Sequence, residues 1–211
     1  MALSTTSSAG ARLWWLAAPA DAERVVLVVH GGQKQSTARA AWFSPPVLRL
    51  VPFATSVWRA GGGRVAVALL RHGQRGWNTG QRLEDLRWAL DVARDGHPDV
   101  PISLIGHSMG GRMVLRCAAD PGVDTVVGLA TWAERSDVPL WRAAPGLRLW
   151  LGHGLDDRVT DPEGSRVAAR QFERLGADVG LELVPGENHA LLRRALWWHG
   201  ESARQALRRP S

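Results

Sequence analysis

The sequence predicts an α/β fold: a mostly parallel central sheet flanked by helices, with no separate cap domain. Three observations lead there. Short apolar runs alternate with longer helical patterns along the whole chain, which is the signature of strands linked by helical crossovers. The central runs, such as "RVVLVV" and "RVAVALL", are continuous in β-branched residues and leucine. Strands buried on both faces read that way, whereas half-exposed strands alternate. No repeat or linker divides the 211 residues, a length that suits one domain with a full core, residues 1–211.

The elements follow in order. "ARLWWLAAP" and "RVVLVVH" read as two early strands, a pair that could add an antiparallel edge. "SPPVLRLVPFATSVWRAGGG" reads as a helix with Pro46 in its first turn, glycines at its end and a kink at Pro52. "RVAVALLR" is a strand, "RLEDLRWALDVARD" a helix, "VPISLIG" a strand and "SMGGRMVLRCAAD" a helix. "DTVVGLAT" and "LRLWLGHG" are strands. "DPEGSRVAARQFERLG" is a helix capped by Asp161 with Pro162 at its first position. "VGLELVPG" is the last strand and "HALLRRALWWHGESARQALRR" the last helix. In open sheets of this kind ligands bind beyond the C-terminal strand ends, so the residues just after each strand are the ones to inspect.

Composition narrows the function classes. Hydrophobic residues make up 45% and charged residues 22% of the chain, and the formal charge of +6 is carried by arginine, with Lys34 the one lysine. The arginines are scattered, with no basic run longer than a pair, so a solvated surface is expected and no nucleic-acid partner. No apolar stretch reaches the length of a membrane span. The start, "MALSTTSSAGARLWWLAAPA", lacks the basic beginning and long apolar core of a signal peptide; a cytoplasmic protein without membrane attachment is expected. The lone Cys117 excludes an intrachain disulfide and a cysteine-rich metal cluster, and a buried apolar role suits it. There is no dinucleotide fingerprint, phosphate-binding lysine motif or paired-histidine metal helix, so no cofactor and no metal are expected.

One stretch carries chemistry. In "LIGHSMGGRMVL", Ser108 lies between Gly106 and Gly110 where a strand must turn sharply into a helix. A turn that tight needs neighbours without side chains. It lifts the serine oxygen above the sheet edge at a helix N-terminus, where free N–H groups and the helix dipole favour negative charge. The geometry presents a nucleophile, and a serine nucleophile needs a base. Of seven histidines, His189 in "PGENHAL" follows the last strand directly, with Gly186 to allow the turn. His107 packs or hydrogen-bonds locally on the elbow, His30 in "VVHGG" reads as structural, and His199 is held inside the last helix. His72, His97 and His153 have no stronger claim.

The base needs a carboxylate. Asp157, in "GHGLDDRVTDPEG", is the choice, with Asp156 the neighbouring alternative and Glu134 and Asp137 a weaker site. An oxyanion needs backbone donors: the N–H of Met109, after the nucleophile, and that of Gly32 in "VVHGGQ", with Gln33 the adjacent alternative.

"HGG" at His30–Gly32, "GHSMGG" at Gly106–Gly111, "HGLDDRV" at His153–Val159 and "GENH" at Gly186–His189 occur in an order that resembles the α/β-hydrolase family. Within it the chain is similar to compact esterase-like and dienelactone-hydrolase-like members. Dienelactone hydrolases proper use cysteine as nucleophile, where this chain has Ser108. Members often insert a cap after the strand that follows the nucleophile helix; "WAERSDVPLWRAAPG" leaves room for one small helix at most.

The expectation is therefore a serine hydrolase that cleaves an ester or thioester through an acyl-enzyme on Ser108. The same machinery can transfer the acyl group or close a lactone, and the fold can serve as a non-catalytic small-molecule receptor. Trp77 and Trp132, after strand ends, are expected to wall the pocket, with Trp141 reaching over the same edge. Such a wall selects an uncharged apolar or aromatic substrate, and Arg75 is the one charge able to meet a carboxylate.

Overall fold

A computed structural model describes residues 4–208. Eight strands form one sheet: β1 (Ser4–Thr6), β2 (Arg12–Ala17), β3 (Arg24–Val29), β4 (Val65–Arg71), β5 (Ile102–His107), β6 (Val123–Leu129), β7 (Arg148–Gly154) and β8 (Asp178–Val184). They lie in the order β1-β2-β4-β3-β5-β6-β7-β8. All pairings from β4 to β8 are parallel, while β2 runs antiparallel to both β1 and β4. The antiparallel edge is thus β1 with β2. β3, expected as a possible partner in that edge, is a central parallel strand because its six residues are all buried. β1 escaped the sequence reading because "STT" carries no apolar signal; Met1–Leu3 of that stretch lie outside the described residues.

Period-two geometry divides the core between two faces. Val25, Leu27 and Val29 of β3 point to one side with Ala66, Ala68 and Leu70 of β4; Val26, Val28, Val65, Val67 and Leu69 point to the other. The first face is covered by α2 (Arg82–Gly96), α3 (Met109–Arg116) and α4 (Pro162–Arg174). The second is covered by α1 (Pro45–Ala60) and α5 (Ala195–Leu207), which pack on each other. Pro52 lies inside α1 without ending it. Asp161 caps α4 by accepting from Glu163 N–H at 2.9 Å, with Pro162 leading the helix. The segment between β6 and β7 holds one 3₁₀ turn, Arg135–Leu140, and no cap domain. The last helix begins at Ala195, six residues later than expected, because His189–Arg194 form a loop; its expected end at Arg209 lies outside the described residues. Cys117 is buried at 0% exposure, where burial pushes its thiol pKa up, away from the reactive thiolate.

Strand order reverses beside β3: the chain goes from β3 to β4 on one side, then to β5 on the other. A crevice opens where neighbouring connections diverge. Register brings the ends level there, with Val29 opposite Gly106, His107 opposite Leu129, and Gly154 opposite Val184. The loops after β3, β5, β7 and β8 consequently meet at one edge.

The elbow is held by backbone contact. A Cβ on Gly110 would lie 2.2 Å from Val29 O, and one on Gly106 would lie 2.3 Å from Gly110 O. Gly110→Ala should therefore cost about 2–3 kcal/mol in urea unfolding. Gly200, mid-α5 with nothing within 4 Å of its Cβ position, supplies the contrast: Gly200→Ala should raise stability by ~0.5–1 kcal/mol.

Candidate active site

Ser108 links β5 to α3 with φ 59° and ψ −117°. This left-handed conformation is strained for a residue with a side chain. The surroundings hold it in place. Ser108 N–H donates to Leu129 O at 2.9 Å, and its carbonyl accepts from Arg112 N–H and Trp132 N–H, each at 3.1 Å. The side chain does not cap α3, and among the described residues Oγ makes no hydrogen bond.

His189 and Asp157 meet across the edge: His189 Nδ1 lies 2.8 Å from Asp157 Oδ2. The structure thus puts Asp157 rather than Asp156 against the ring of His189. Asp156 is exposed and faces Arg193 at 3.9 Å. Glu134 and Asp137 instead bind Arg112. Among the described residues no hydrogen bond joins Ser108 to His189.

Asp157 gathers more partners than sequence suggested. Its Oδ1 accepts from the N–H groups of Val159 (2.7 Å) and Thr160 (3.0 Å). Its Oδ2 is also approached by Thr160 Oγ1 at 2.7 Å and His153 Nε2 at 3.1 Å. His153 is fully buried, with its Nδ1 2.7 Å from Ser165 Oγ. Burial alone would raise the Asp157 pKa. The hydrogen bonds from His153, His189, Thr160 and Val159 outweigh it and hold the carboxyl far below its ordinary range. His153 and Thr160 were missed as site residues. The signal was their place within one strand end and turn, "HGLDDRVT", which folds both back onto the same oxygen.

The histidine loop has its own anchors. A Cβ on Gly154 would lie 2.2 Å from Glu187 O, so the β7 and β8 loops pass in contact. Gly186 turns with φ 75°. Glu187 is buried and accepts from Asn188 N–H (3.1 Å), Arg194 N–H (3.0 Å) and Trp198 Nε1–H (3.1 Å). His107 is buried, and its hydrogen bond reaches beyond the elbow: its Nε2 lies 2.8 Å from His189 O. The ring beside the serine thus ties the last loop to β5.

His30 has the structural place expected of it. Its Nδ1 lies 2.6 Å from Gly31 O, and its Nε2 accepts from His72 N–H at 3.2 Å. Gly32 lies against Met109: a Cβ there would be 2.6 Å from Met109 Cε. Gln33 N–H is committed to Arg75 O at 2.8 Å. Gly32 N–H makes no hydrogen bond among the described residues, and Met109 N–H, in the first turn of α3, has no carbonyl within its helix to pair with.

The aromatic wall takes another form. Trp77 and Trp132 do come together edge to face, 6.2 Å between ring centroids, and Arg112 lies over both rings. Its guanidinium lies 4.4 Å from the Trp77 ring centroid and 4.3 Å from that of Trp132. Cation–π attraction and the carboxylates of Asp137 and Glu134 hold it there. Trp77 is buried, and Trp141 is in the core against Phe172 rather than over the edge. Arg75 turns to Arg39 O. No group of three or more metal-ligating side chains gathers among the described residues, and no described helix is long and apolar enough to cross a membrane.

A parallel sheet with a strained serine at the elbow after β5, and an Asp–His pair from the β7 and β8 loops, defines a hydrolase-type scaffold. The chain belongs to the alpha/beta hydrolase fold family, whose model matches residues 9–183. Among solved structures it is similar to a lidless a/b serine hydrolase from Xanthomonas campestris, with 18% identity and a TM-score of 0.73, covering 100% of this chain and 96% of that one. It is also similar to an esterase from Pyrococcus furiosus (14% identity, TM-score 0.69, 97% and 90% covered) and to Est1E from Butyrivibrio proteoclasticus (13%, 0.65, 92% and 92%). At these identities the likeness shows the fold. No curated protein sequence matches the chain.

The buried histidines give the fold a pH signature. Burial lowers the pKa of His30 to about 4 and of His107 to about 3, and His72 is lowered well below its ordinary value. Each ring binds a proton more weakly folded than unfolded, so its contribution is full above about pH 6.5 and is lost as pH falls. Urea unfolding measured from pH 7.5 to pH 5 should show declining stability. His107→Gln, which keeps a donor for His189 O, should flatten that decline.

Proposed function

We propose that the protein is a serine hydrolase acting on a carboxylic ester or thioester, with Ser108, His189 and Asp157 as its triad. The observation that carries this reading is the 2.8 Å contact between His189 Nδ1 and Asp157 Oδ2, formed at the same sheet edge as a serine in a strained, uncapped elbow. With Nδ1–H donated to the carboxylate, Nε2 keeps the lone pair that accepts the Ser108 proton. Ser108 Oγ attacks the carbonyl carbon, the C=O electrons move to oxygen, and the N–H groups of Met109 and Gly32 stabilise that charge. The tetrahedral intermediate collapses to an acyl-enzyme as His189 gives its proton to the leaving oxygen or sulfur. Water, deprotonated by His189, then releases the acid and restores Ser108.

His153 and Thr160 are positioning residues in this scheme: they share Asp157 Oδ2 and fix the carboxylate plane. In this reading the chain acts as one domain, in the cytoplasm, and calls on no cofactor. Arg112 lies over the rings of Trp77 and Trp132 and so sets a cation beside the expected aromatic wall.

Turnover of p-nitrophenyl acetate tests the scheme. Ser108→Ala and His189→Ala should each cut kcat by ~10³-fold or more, with little further loss in the double variant, because the residues act as a unit. Asp157→Asn should cost ~10²–10⁴-fold, whereas Asp156→Asn should cost less than about 3-fold. Equal effects of the two aspartates, or activity that survives Ser108→Ala, would overturn the assignment.

A further inference from the structure

We propose that the depression beside His189 is a subsite for an oxyanion carried by the substrate, a carboxylate or a phosphate, with Arg49 as its principal ligand. The proposal rests on the hydrolase reading above and names the substrate class of that same site. The depression, about 740 Å³, lies between the first turns of α1 and the loops after β7 and β8, and Arg49, Asp157, Arg158, His189 and Arg193 are among its lining.

Arg49 is half-buried, and among the described residues it makes no hydrogen bond and no ion pair. Among the described arginines that are buried or half-buried, that is exceptional. Arg24 is bound to Asp124, Arg82 to Asp85, Arg112 to Asp137 and Glu134, and Arg71 to the carbonyls of Gly10 and Ala40. A guanidinium withdrawn from water without a partner is costly. Burial lowers its pKa for that reason.

The charge around it is not balanced by the protein. Asp157 is enclosed by its own five hydrogen bonds. Asp156 faces Arg193. Arg158 is exposed and, among the described residues, unpaired. Two cations, Arg49 and Arg158, are thus left without an anion at the mouth of the histidine loop. The planar guanidinium fork matches a carboxylate or phosphate in two parallel hydrogen bonds. An ester bearing such a group places its anion on Arg49 while its carbonyl lies at Ser108.

Two matched substrate pairs test this and separate the two anions. They are p-nitrophenyl hydrogen glutarate against p-nitrophenyl hexanoate for a carboxylate, and 4-acetoxyphenyl phosphate against phenyl acetate for a phosphate. In at least one pair the parent enzyme should favour the anionic member at least 10-fold in kcat/KM, mainly through KM. Arg49→Met should reduce that ratio at least 10-fold, and Arg49→Lys should restore part of it. A second measurement does not need turnover: titration of the Ser108→Ala protein with glutarate and with inorganic phosphate should show binding that Arg49→Met weakens at least 5-fold. Binding that depends on Arg49 without turnover of any ester sustains the subsite and sinks the hydrolase reading. Turnover with neither anionic preference nor Arg49-dependent binding overturns the subsite and leaves the hydrolase reading standing.

Discussion

A buried carboxylate cannot stand alone, and much of the geometry at this sheet edge follows from how Asp157 is satisfied. Its side chain is fully withdrawn from solvent. Two backbone N–H groups, one hydroxyl and two imidazoles close around its oxygens. The donors come from three places. Val159 and Thr160 come from the turn that Asp157 itself opens. His153 comes from the end of β7 and is braced by Ser165 of α4. His189 comes from the loop after β8, and its ring is fixed because the carboxylate is fixed. Loss of one donor would leave an anion in a low-dielectric interior, so the five contacts stand or fall together.

The second constraint is steric. Gly106 and Gly110 let α3 start in contact with β5 and with the end of β3, and Gly154 lets the β7 end touch Glu187. These close approaches bring four loops to one crevice at the reversal of strand order. Polar ties complete it: His107 Nε2 on His189 O joins the elbow to the histidine loop, and Glu187 draws Asn188, Arg194 and Trp198 around itself. The serine is thereby held in a strained conformation by parts of the chain that are far apart in sequence.

What could be read from sequence was what depends on local pattern. Continuous apolar runs marked β3 to β7, Asp161–Pro162 marked the start of α4, and Gly106–Gly110 around Ser108 marked the elbow. Asp157 and His189 were legible because each follows a strand, where this topology places ligands. What escaped depends on who meets whom in space. His153 and Thr160 share an oxygen only after the strand end folds back. His107 bonds a carbonyl 82 residues away, which no local pattern announces. The tryptophans were placed beyond strand ends, yet nothing in sequence said that Arg112, held by Asp137 and Glu134, would lie over both rings. β1 was silent because three polar residues at a sheet edge carry no hydrophobic period, and the last helix was begun too early because "HALLRRAL" has helical spacing although Glu187 holds that stretch as a loop.

The central claim is that Asp157 fixes His189 so that His189 can activate Ser108. The most direct measurement is the site and rate of phosphonylation by a fluorophosphonate, followed by intact mass and peptide mapping. The account predicts one adduct per chain, on the peptide that contains Ser108, formed at least ~10²-fold more slowly after Asp157→Asn. An adduct on another residue, or an undiminished rate in the Asp157→Asn protein, would contradict it.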